Sequence, residues 1–378
     1  MEPREAIDVR DPRRYARVTG DPLDTDSLPP WCYTSDAFHA AERERVLARS
    51  WLCVGRVDML AGAGAYRALD VAGHRVLLVR SEDGTIRALA NVCRHRGTKL
   101  LEGAGTTRWI RCPFHNWTYG LDGALRGAPD MDATRGFDPT ASGLLPYDTG
   151  VWNGFLFVRL TPGGPSLEAS FGAMTDLFAP FRLADMVTTR TRTYDVQCNW
   201  KLFLDVFMED YHLKAVHGAS IAATYIKPAP PETGPGYASI WNPHEGTSGL
   251  TSEDRDHAFP PMTGLPASGT RYGWLYPSFA FAVTVDSVWF FEVEPDGPGR
   301  SRVAMHMGFP RAIAERNDFA KKAERYYARW HCVLDEDNRV LALQQQGLES
   351  PAARAGRYSF LEPVPSRFAQ WLVAGVTA

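Results

Sequence analysis

Two short segments constrain this chain more than any other feature. Cys93-Arg94-His95 and Cys112-Pro113-Phe114-His115 each offer one thiolate and one imidazole, with sixteen residues between them. Both follow strand-like segments, so a β scaffold would fix their separation. Buried small cysteines and satisfied histidines would be the bland explanation, but two matched pairs at metal-ligand spacing argue against it. Four donors suit a tetrahedral zinc or a two-iron cluster. Zinc more often takes two Cys from one loop and two His from another. Pairs that mix the two donor types suit a [2Fe–2S] centre in which two Cys hold one iron and two His the other.

Imidazole in place of thiolate raises the potential of such a centre, and a one-electron donor of this kind needs an acceptor. The segment from Asn199 to Gly218 offers His212 and His217, five residues apart. Five residues of straight helix turn the chain by about 500°, leaving the two side chains about 140° apart. Only a π-bulge or a helix end at His217-Gly218 could aim both at one metal. Otherwise His212 is a core histidine and His217 a cation at a helix C-terminus. Two neutral His and one carboxylate form the facial triad of non-heme Fe(II) oxygenases. The helix around Val333–Val340 supplies Asp335, Glu336 and Asp337, each of which could equally lie on a solvated face.

Beyond the ligands, Asn91-Val92, Cys93-Arg94-His95-Arg96-Gly97, Cys112-Pro113-Phe114-His115-Asn116-Trp117 and Tyr119-Gly120-Leu121-Asp122-Gly123 resemble the two loops of Rieske domains. Asn199-Trp200-Lys201 and Glu209-X-Tyr211-His212-X4-His217 resemble the iron-binding segment of Rieske non-heme iron oxygenase (aromatic-ring-hydroxylating oxygenase) α-subunits. Leu28-Pro29-Pro30…Tyr33 and the Gln345-X-Gly347-Leu348-X-Ser350 tail extend the resemblance over nearly the full length.

That resemblance implies a Rieske [2Fe–2S] cluster on Cys93, His95, Cys112 and His115. It implies a mononuclear Fe(II) on His212, His217 and Asp337, with Asp335 as the fallback carboxylate. Glu209, where many members carry Asp, would bridge a cluster His of one subunit and an iron-ligand His of the next. Val206 departs from the Asn many relatives have after the position of Asp205. The implied activity is that of a terminal oxygenase that hydroxylates, or oxidatively demethylates, a small and aromatic organic substrate with O2. Its electrons would come from NAD(P)H through a separate reductase, with or without a ferredoxin, in a homotrimer. The chain shows no Gly-X-Gly-X-X-Gly after a strand, hence no nicotinamide domain of its own. A Rieske electron carrier without oxygenase activity, a zinc-stabilised binding protein, and a hydroxylase or demethylase of quaternary ammonium compounds are the rival readings.

The expected fold is α+β. An all-β Rieske domain spans 45–160. A catalytic domain of 1–44 and 161–378 carries an antiparallel sheet flanked by helices (helix-grip, START-like). The texture agrees: short strands and turns from Trp51 to Leu160, a boundary at Thr161–Pro165, then helix, strand, and an apolar helical run from Asn199 to Val216. Residues 227–270, rich in Pro, Gly, Ser and Thr, read as a long irregular stretch, and Ala312 to Gln346 as a long helix. Ser35 is placed to cap a helix running toward Trp51.

The 378 residues carry a net charge of −3, which points to neither nucleic acid nor a membrane surface. The first residues lack an apolar signal core, no run is long enough to span a bilayer, and the default is a cytoplasmic protein. Cys32, Cys53, Cys198 and Cys332 read as buried thiols, and His244, His257 and His306 as ordinary histidines. The substrate pocket is expected among Trp241, Tyr272, Trp274, Tyr276, Phe279, Phe281, Trp289 and Phe291, with strand alternation turning about half of them into the core. Trp241, Trp274, Phe281, Trp289 and Phe291 are the leading substrate-binding candidates, for an aromatic ring or a caged quaternary ammonium.

Overall fold

The computed structural model of the chain describes residues 7–218, 220, 229–251 and 253–378. Residues 1–6 of the N-terminal arm, and 227, 228 and 252 of the irregular stretch, lie outside the described residues. The chain forms two compact units: Ala48–Leu167, and the segments on either side of it together.

The first unit is all β. Its strands are β1 (Leu52–Arg56), β2 (Ala65–Val71), β3 (His74–Arg80), β4 (Ile86–Ala90), β5 (Ala104–Thr106), β6 (Ile110–Arg111), β7 (Thr118–Tyr119), β8 (Leu125–Gly127), β9 (Pro146–Trp152) and β10 (Phe155–Arg159). Among the described residues they form an antiparallel sheet in the order β1-β10-β9-β4-β3-β2-β5 and a smaller sheet β6-β7-β8. Asn153 and Gly154, at φ +48° and +82°, make the tight turn between β9 and β10, the residue pair such a hairpin favours. Leu77, Val79, Leu89, Ile110 and Tyr119 pack beneath the two Cys/His loops. The unit ends at Leu167 and not at 160 because the chain folds back after β10. Pro165 O accepts both the Arg159 guanidinium (2.7 Å) and the Trp51 indole N–H (3.1 Å).

The second unit holds β11 (Met186–Val196), β12 (Glu232–Gly234), β13 (Tyr237–Glu245), β14 (Ser268–Leu275), β15 (Phe279–Val283), β16 (Val288–Pro295) and β17 (Ser301–Pro310). They pair antiparallel in the order β11-β17-β16-β15-β14-β13-β12. Register puts Tyr272, Ala282, Trp289 and Met307 in one row across the sheet, and Gly273, Phe281, Phe290 and His306 in the next. Because side chains alternate, these two rows face opposite sides. β12 and β13 occupy part of the stretch read as irregular. Its composition is misleading because Pro243 sits where the register shifts between Asn242 and Glu245, a bulge that tolerates a missing N–H.

Two further readings change. The run from Asn199 to Val216 is two helices, Trp200–Phe207 and the single turn Leu213–Val216. Between them the Glu209 carboxylate accepts the backbone N–H groups of Tyr211 and His212, a side chain competing with the helix ladder. The segment from Ala312 is also two helices, Arg311–Ala314 and the 30-residue Phe319–Leu348. Cys332 lies exposed on that long helix, whereas Cys32, Cys53 and Cys198 are buried.

Ser35 caps helix Asp36–Arg45 as expected. That helix brings the fully buried Glu42 to Lys201 Nζ (2.8 Å) and Trp200 Nε1 (3.1 Å). Asn199 caps helix Trp200–Phe207 and gives its backbone N–H to Gln345 Oε1 of the long helix at 3.0 Å.

Candidate metal centres

The two Cys/His loops repeat one backbone design. In the first, the Cys93 N–H donates to Thr98 O (2.8 Å) and the Gly97 N–H to Cys93 O (3.0 Å). In the second, the Cys112 N–H donates to Trp117 O (2.8 Å) and the Asn116 N–H to Cys112 O (3.1 Å). The fourth residue after each Cys is left-handed, Gly97 at φ +77° and Asn116 at φ +58°; Gly and Asn enter that region at least cost. Both thiols are buried and both imidazoles half-buried. The His95 and His115 rings stand 4.7 Å apart, and His95 stacks on Trp117 at 4.9 Å.

The donors fit a Rieske cluster. His95 Nδ1 is buried with no hydrogen-bond partner among the described residues, as a ligand lone pair would be. Burial works to raise the Cys112 thiol, but the N–H groups of Phe114 and His115, together with Cys93 and Thr98, outweigh it and hold the thiol below its ordinary range. The Tyr119 hydroxyl accepts the Arg94 N–H at 3.0 Å and lies 3.3 Å from Cys93 Sγ. With Cys93 as a thiolate ligand the hydroxyl proton can be given to the sulfur, a contact that tunes cluster potential.

In the second unit His212 stands at the entry and His217 at the exit of the one-turn helix. A helix end thus resolves the five-residue spacing. Their Nε2 atoms lie 3.7 and 2.9 Å from Asp337 Oδ1, and the ligand atoms of the three residues fall within 4.8 Å of one another. Asp335 lies apart, 54% exposed and 3.8 Å from Arg192. Each imidazole is held from behind: His212 Nδ1 lies 2.7 Å from Glu209 Oε1, and His217 Nδ1 2.7 Å from Glu336 Oε2. Glu336 also accepts from Ser220 Oγ at 2.7 Å. Burial pushes the Glu336 carboxyl up, but Ser220 and His217 outweigh it and hold it low. A carboxylate behind each ring favours the neutral tautomer with its proton on Nδ1, which leaves Nε2 free to act as a ligand towards the Asp337 side. Asp337 Oδ1 is buried without a hydrogen bond among the described residues. Burial pulls the His217 imidazole down, but Asp337 and Glu336 outweigh it and raise it; a site that draws positive charge among two imidazoles and a carboxylate fits a divalent metal.

The centre opens into a cavity of about 1170 Å³, its mouth included. Phe207, Tyr272, Trp289, Phe291 and Trp330 stand in its wall, several at steep angles: Phe207 to Phe291 at 82° and Tyr272 to Trp289 at 84°. Asp210 is also in the wall. Burial, with Glu209 adding and His212 opposing, pushes its carboxyl up to about 6.

Of the five leading substrate-binding candidates, Trp289 and Phe291 line this cavity and Trp241, Trp274 and Phe281 do not. Alternation explains two of them. Trp241 and Phe281 pair with Arg271 and Gly273 on the opposite face. There, Phe281 packs on Phe178 at 4.6 Å and Trp241 covers Gly269, where a Cβ would come within 2.0 Å of its ring. Trp274 faces the correct side but is buried behind Phe207, 5.9 Å away. Sequence reasoning missed the roles of Tyr119 and Glu336, and passed over His244 and Arg329, both in the cavity wall. The spacing 329, 330, 333, 334, 337 is one helix stripe, the signal that could have found Arg329.

Residues 50–138 match the Rieske [2Fe–2S] domain family, and residues 183–378 match the catalytic domain of ring-hydroxylating α subunits. The glycine betaine monooxygenase oxygenase subunit of Chromohalobacter salexigens is 28% identical over 366 residues, covering 88% of this chain and 82% of that one. The carnitine monooxygenase oxygenase subunit of Escherichia coli is 34% identical over 205 residues, covering 52% of this chain and 54% of that one. A solved quaternary ammonium Rieske monooxygenase superposes with a TM-score of 0.82 at 23% identity, over 94% of this chain and 97% of that one; it shows the shared fold. With its Rieske domain, its catalytic domain and two donor sets suited to their metals, the chain belongs to the ring-hydroxylating oxygenase α subunits, Rieske-type oxygenases that work with a [2Fe–2S] cluster and a mononuclear iron.

Proposed function

We propose that this oxygenase acts on a quaternary ammonium compound. The observation that carries the reading is the steep-walled aromatic box of Phe207, Tyr272, Trp289 and Phe291 beside the His212/His217/Asp337 donors. Aromatic faces attract a desolvated cation, and a quaternary ammonium asks for no hydrogen-bond donor or acceptor in return. Relatives named for glycine betaine and carnitine support it. Turnover of an aromatic hydrocarbon remains the competing outcome.

His212, His217 and Asp337 would hold the iron, and Cys93, Cys112, His95 and His115 the cluster. When bound, these groups supply O2 activation and one-electron delivery. The chain's own residues do the rest. Glu209 and Glu336 keep each imidazole in the tautomer that frees Nε2. The aromatic walls exclude water and orient the substrate. Glu209 is further proposed to join the iron-ligand His212 to a cluster histidine of a neighbouring subunit in a homotrimer, with a separate reductase, with or without a ferredoxin, as electron source. Four cysteines outside the loops, all free thiols, suit a reducing, cytoplasmic setting; among the described residues no helix is long and apolar enough to cross a membrane.

The test is a reconstituted assay with an NADH-linked reductase, following O2 uptake coupled to product. Glycine betaine, carnitine and choline are set against benzoate and naphthalene. Turnover of one or more of the ammonium compounds is expected. Turnover confined to the aromatic compounds overturns the substrate class. In the same assay Glu209→Gln should keep both metals and slow single-turnover electron transfer; an unchanged rate removes the bridge.

A further inference from the structure

The cavity has two electrostatic characters. Glu209, Asp210 and Asp337 make its metal side acidic. Elsewhere in the wall stand Arg329, Arg255 and His244, and both arginines act on His244, helping burial hold its imidazole below the ordinary range. Tyr272, also in the wall, is within electrostatic reach of both Asp210 and Arg329.

Arg329 makes no hydrogen bond or ion pair among the described residues. Residues 219, 221–228 and 252, outside the described residues, include no Asp or Glu. Glu336, a carboxylate of the same helix within electrostatic reach of Arg329, is occupied by His217 and Ser220. Burial pulls the guanidinium below its ordinary value, against Tyr272, Cys332 and Glu336. An arginine stays charged nonetheless, and a guanidinium in a cavity wall without a counter-ion is costly unless something arrives to pair with it. The hydroxyls of Thr270 and Ser248, 2.6 Å apart with His244 Nε2 2.7 Å from Thr270, lie in the same wall.

We propose that this side of the cavity is an anion subsite, in which Arg329 pairs with a carboxylate of the substrate while the cationic end faces the aromatic box. The substrate is then a zwitterion, an ammonium carboxylate and not an ammonium alcohol. The inference rests on the quaternary ammonium reading for the second half only; the carboxylate half stands on Arg329 itself.

Calorimetric titration of the anaerobic holoenzyme tests it with matched acid and ester pairs. Glycine betaine and carnitine are compared with their methyl esters, which keep the cation and lose the anion. Benzoate and methyl benzoate form the pair without a cation. A charge-assisted hydrogen bond makes the acid bind at least about tenfold tighter than its ester. Arg329→Met abolishes that preference, and Arg329→Lys restores part of it, with the visible spectrum of the cluster unchanged in both. Acid preference in the benzoate pair alone, lost in Arg329→Met, upholds the subsite while removing the ammonium reading. Equal binding of acid and ester in every pair, or a preference that survives Arg329→Met, overturns the subsite.

Discussion

On a helix, adjacent residues point about 100° apart, and Glu336 and Asp337 use that angle to address the two nitrogens of one imidazole. Glu336 holds His217 Nδ1 at 2.7 Å and Asp337 Oδ1 faces His217 Nε2 at 2.9 Å. Asp335, one residue earlier, turns away to Arg192. Outer partners of this kind set ligand basicity and orientation, and their loss costs about 10–100-fold in metal affinity. Glu336→Ala is therefore expected to release iron to a competing chelator at about 10–100-fold lower chelator concentration than wild type, with the cluster spectrum intact. Asp337→Ala should lose the mononuclear iron outright and keep the two irons of the cluster. Unchanged iron retention in Glu336→Ala would show that His217 needs no such support. At this scale the sequence was readable where chemistry demands a fixed spacing, as at Cys93/His95 and Cys112/His115. It was silent on the task of Tyr119, which comes from neighbours distant in sequence, and marked Arg329 only as a member of a helix stripe.

Elements carry the site through a few buried polar contacts. The Asn199-Trp200-Lys201 motif does not itself touch the metal donors; it anchors the helix that leads to them. Lys201 and Trp200 meet Glu42 of the N-terminal arm, and neither Lys201 nor Glu42 exposes side-chain surface. Burial pushes the Glu42 carboxyl up and Lys201 opposes it, so removing the lysine strands an acid in a dry environment. Lys201→Met should destabilise the chain by about 3–5 kcal/mol, and Glu42→Leu with Lys201→Met should recover most of that. Urea unfolding measures both. A single variant within about 0.5 kcal/mol of wild type would show that the pair contributes nothing. The strands and long helices were legible from alternation and helical spacing. The one-turn helix between His212 and His217 was not, because its break depends on the Glu209 side chain and not on a Gly or Pro. β12 and β13 were hidden by their Pro- and Gly-rich surroundings.

At the scale of the whole molecule, two units carry two donor sets, and the proposed trimer makes a demand on how they cooperate. If electrons cross between subunits, a chain without a cluster can be served by a neighbour that has one. Co-expression of Cys93→Ser with Asp337→Ala should give mixed assemblies that turn over, although neither variant does so alone. No turnover in the mixed assemblies would confine electron transfer to one chain. The unit boundary illustrates what sequence alone leaves open. Thr161–Pro165 looks like a linker, yet Pro165 O is gripped by Arg159 and Trp51, which no composition argument foresees.

The bond between Asn199 and Gln345 has a mechanical consequence. The helix leading to His212 and the helix bearing Asp337 are pinned together there, as two struts share a vertex, and the three donors close the opposite side of the triangle. Gln345 is two helical turns beyond Asp337, about 12 Å along the axis. The two elements are then tied at both ends, by this bond and by Glu336 on His217. The Gln345 amide thus joins the two elements that carry the donors at a point remote from the metal's seat.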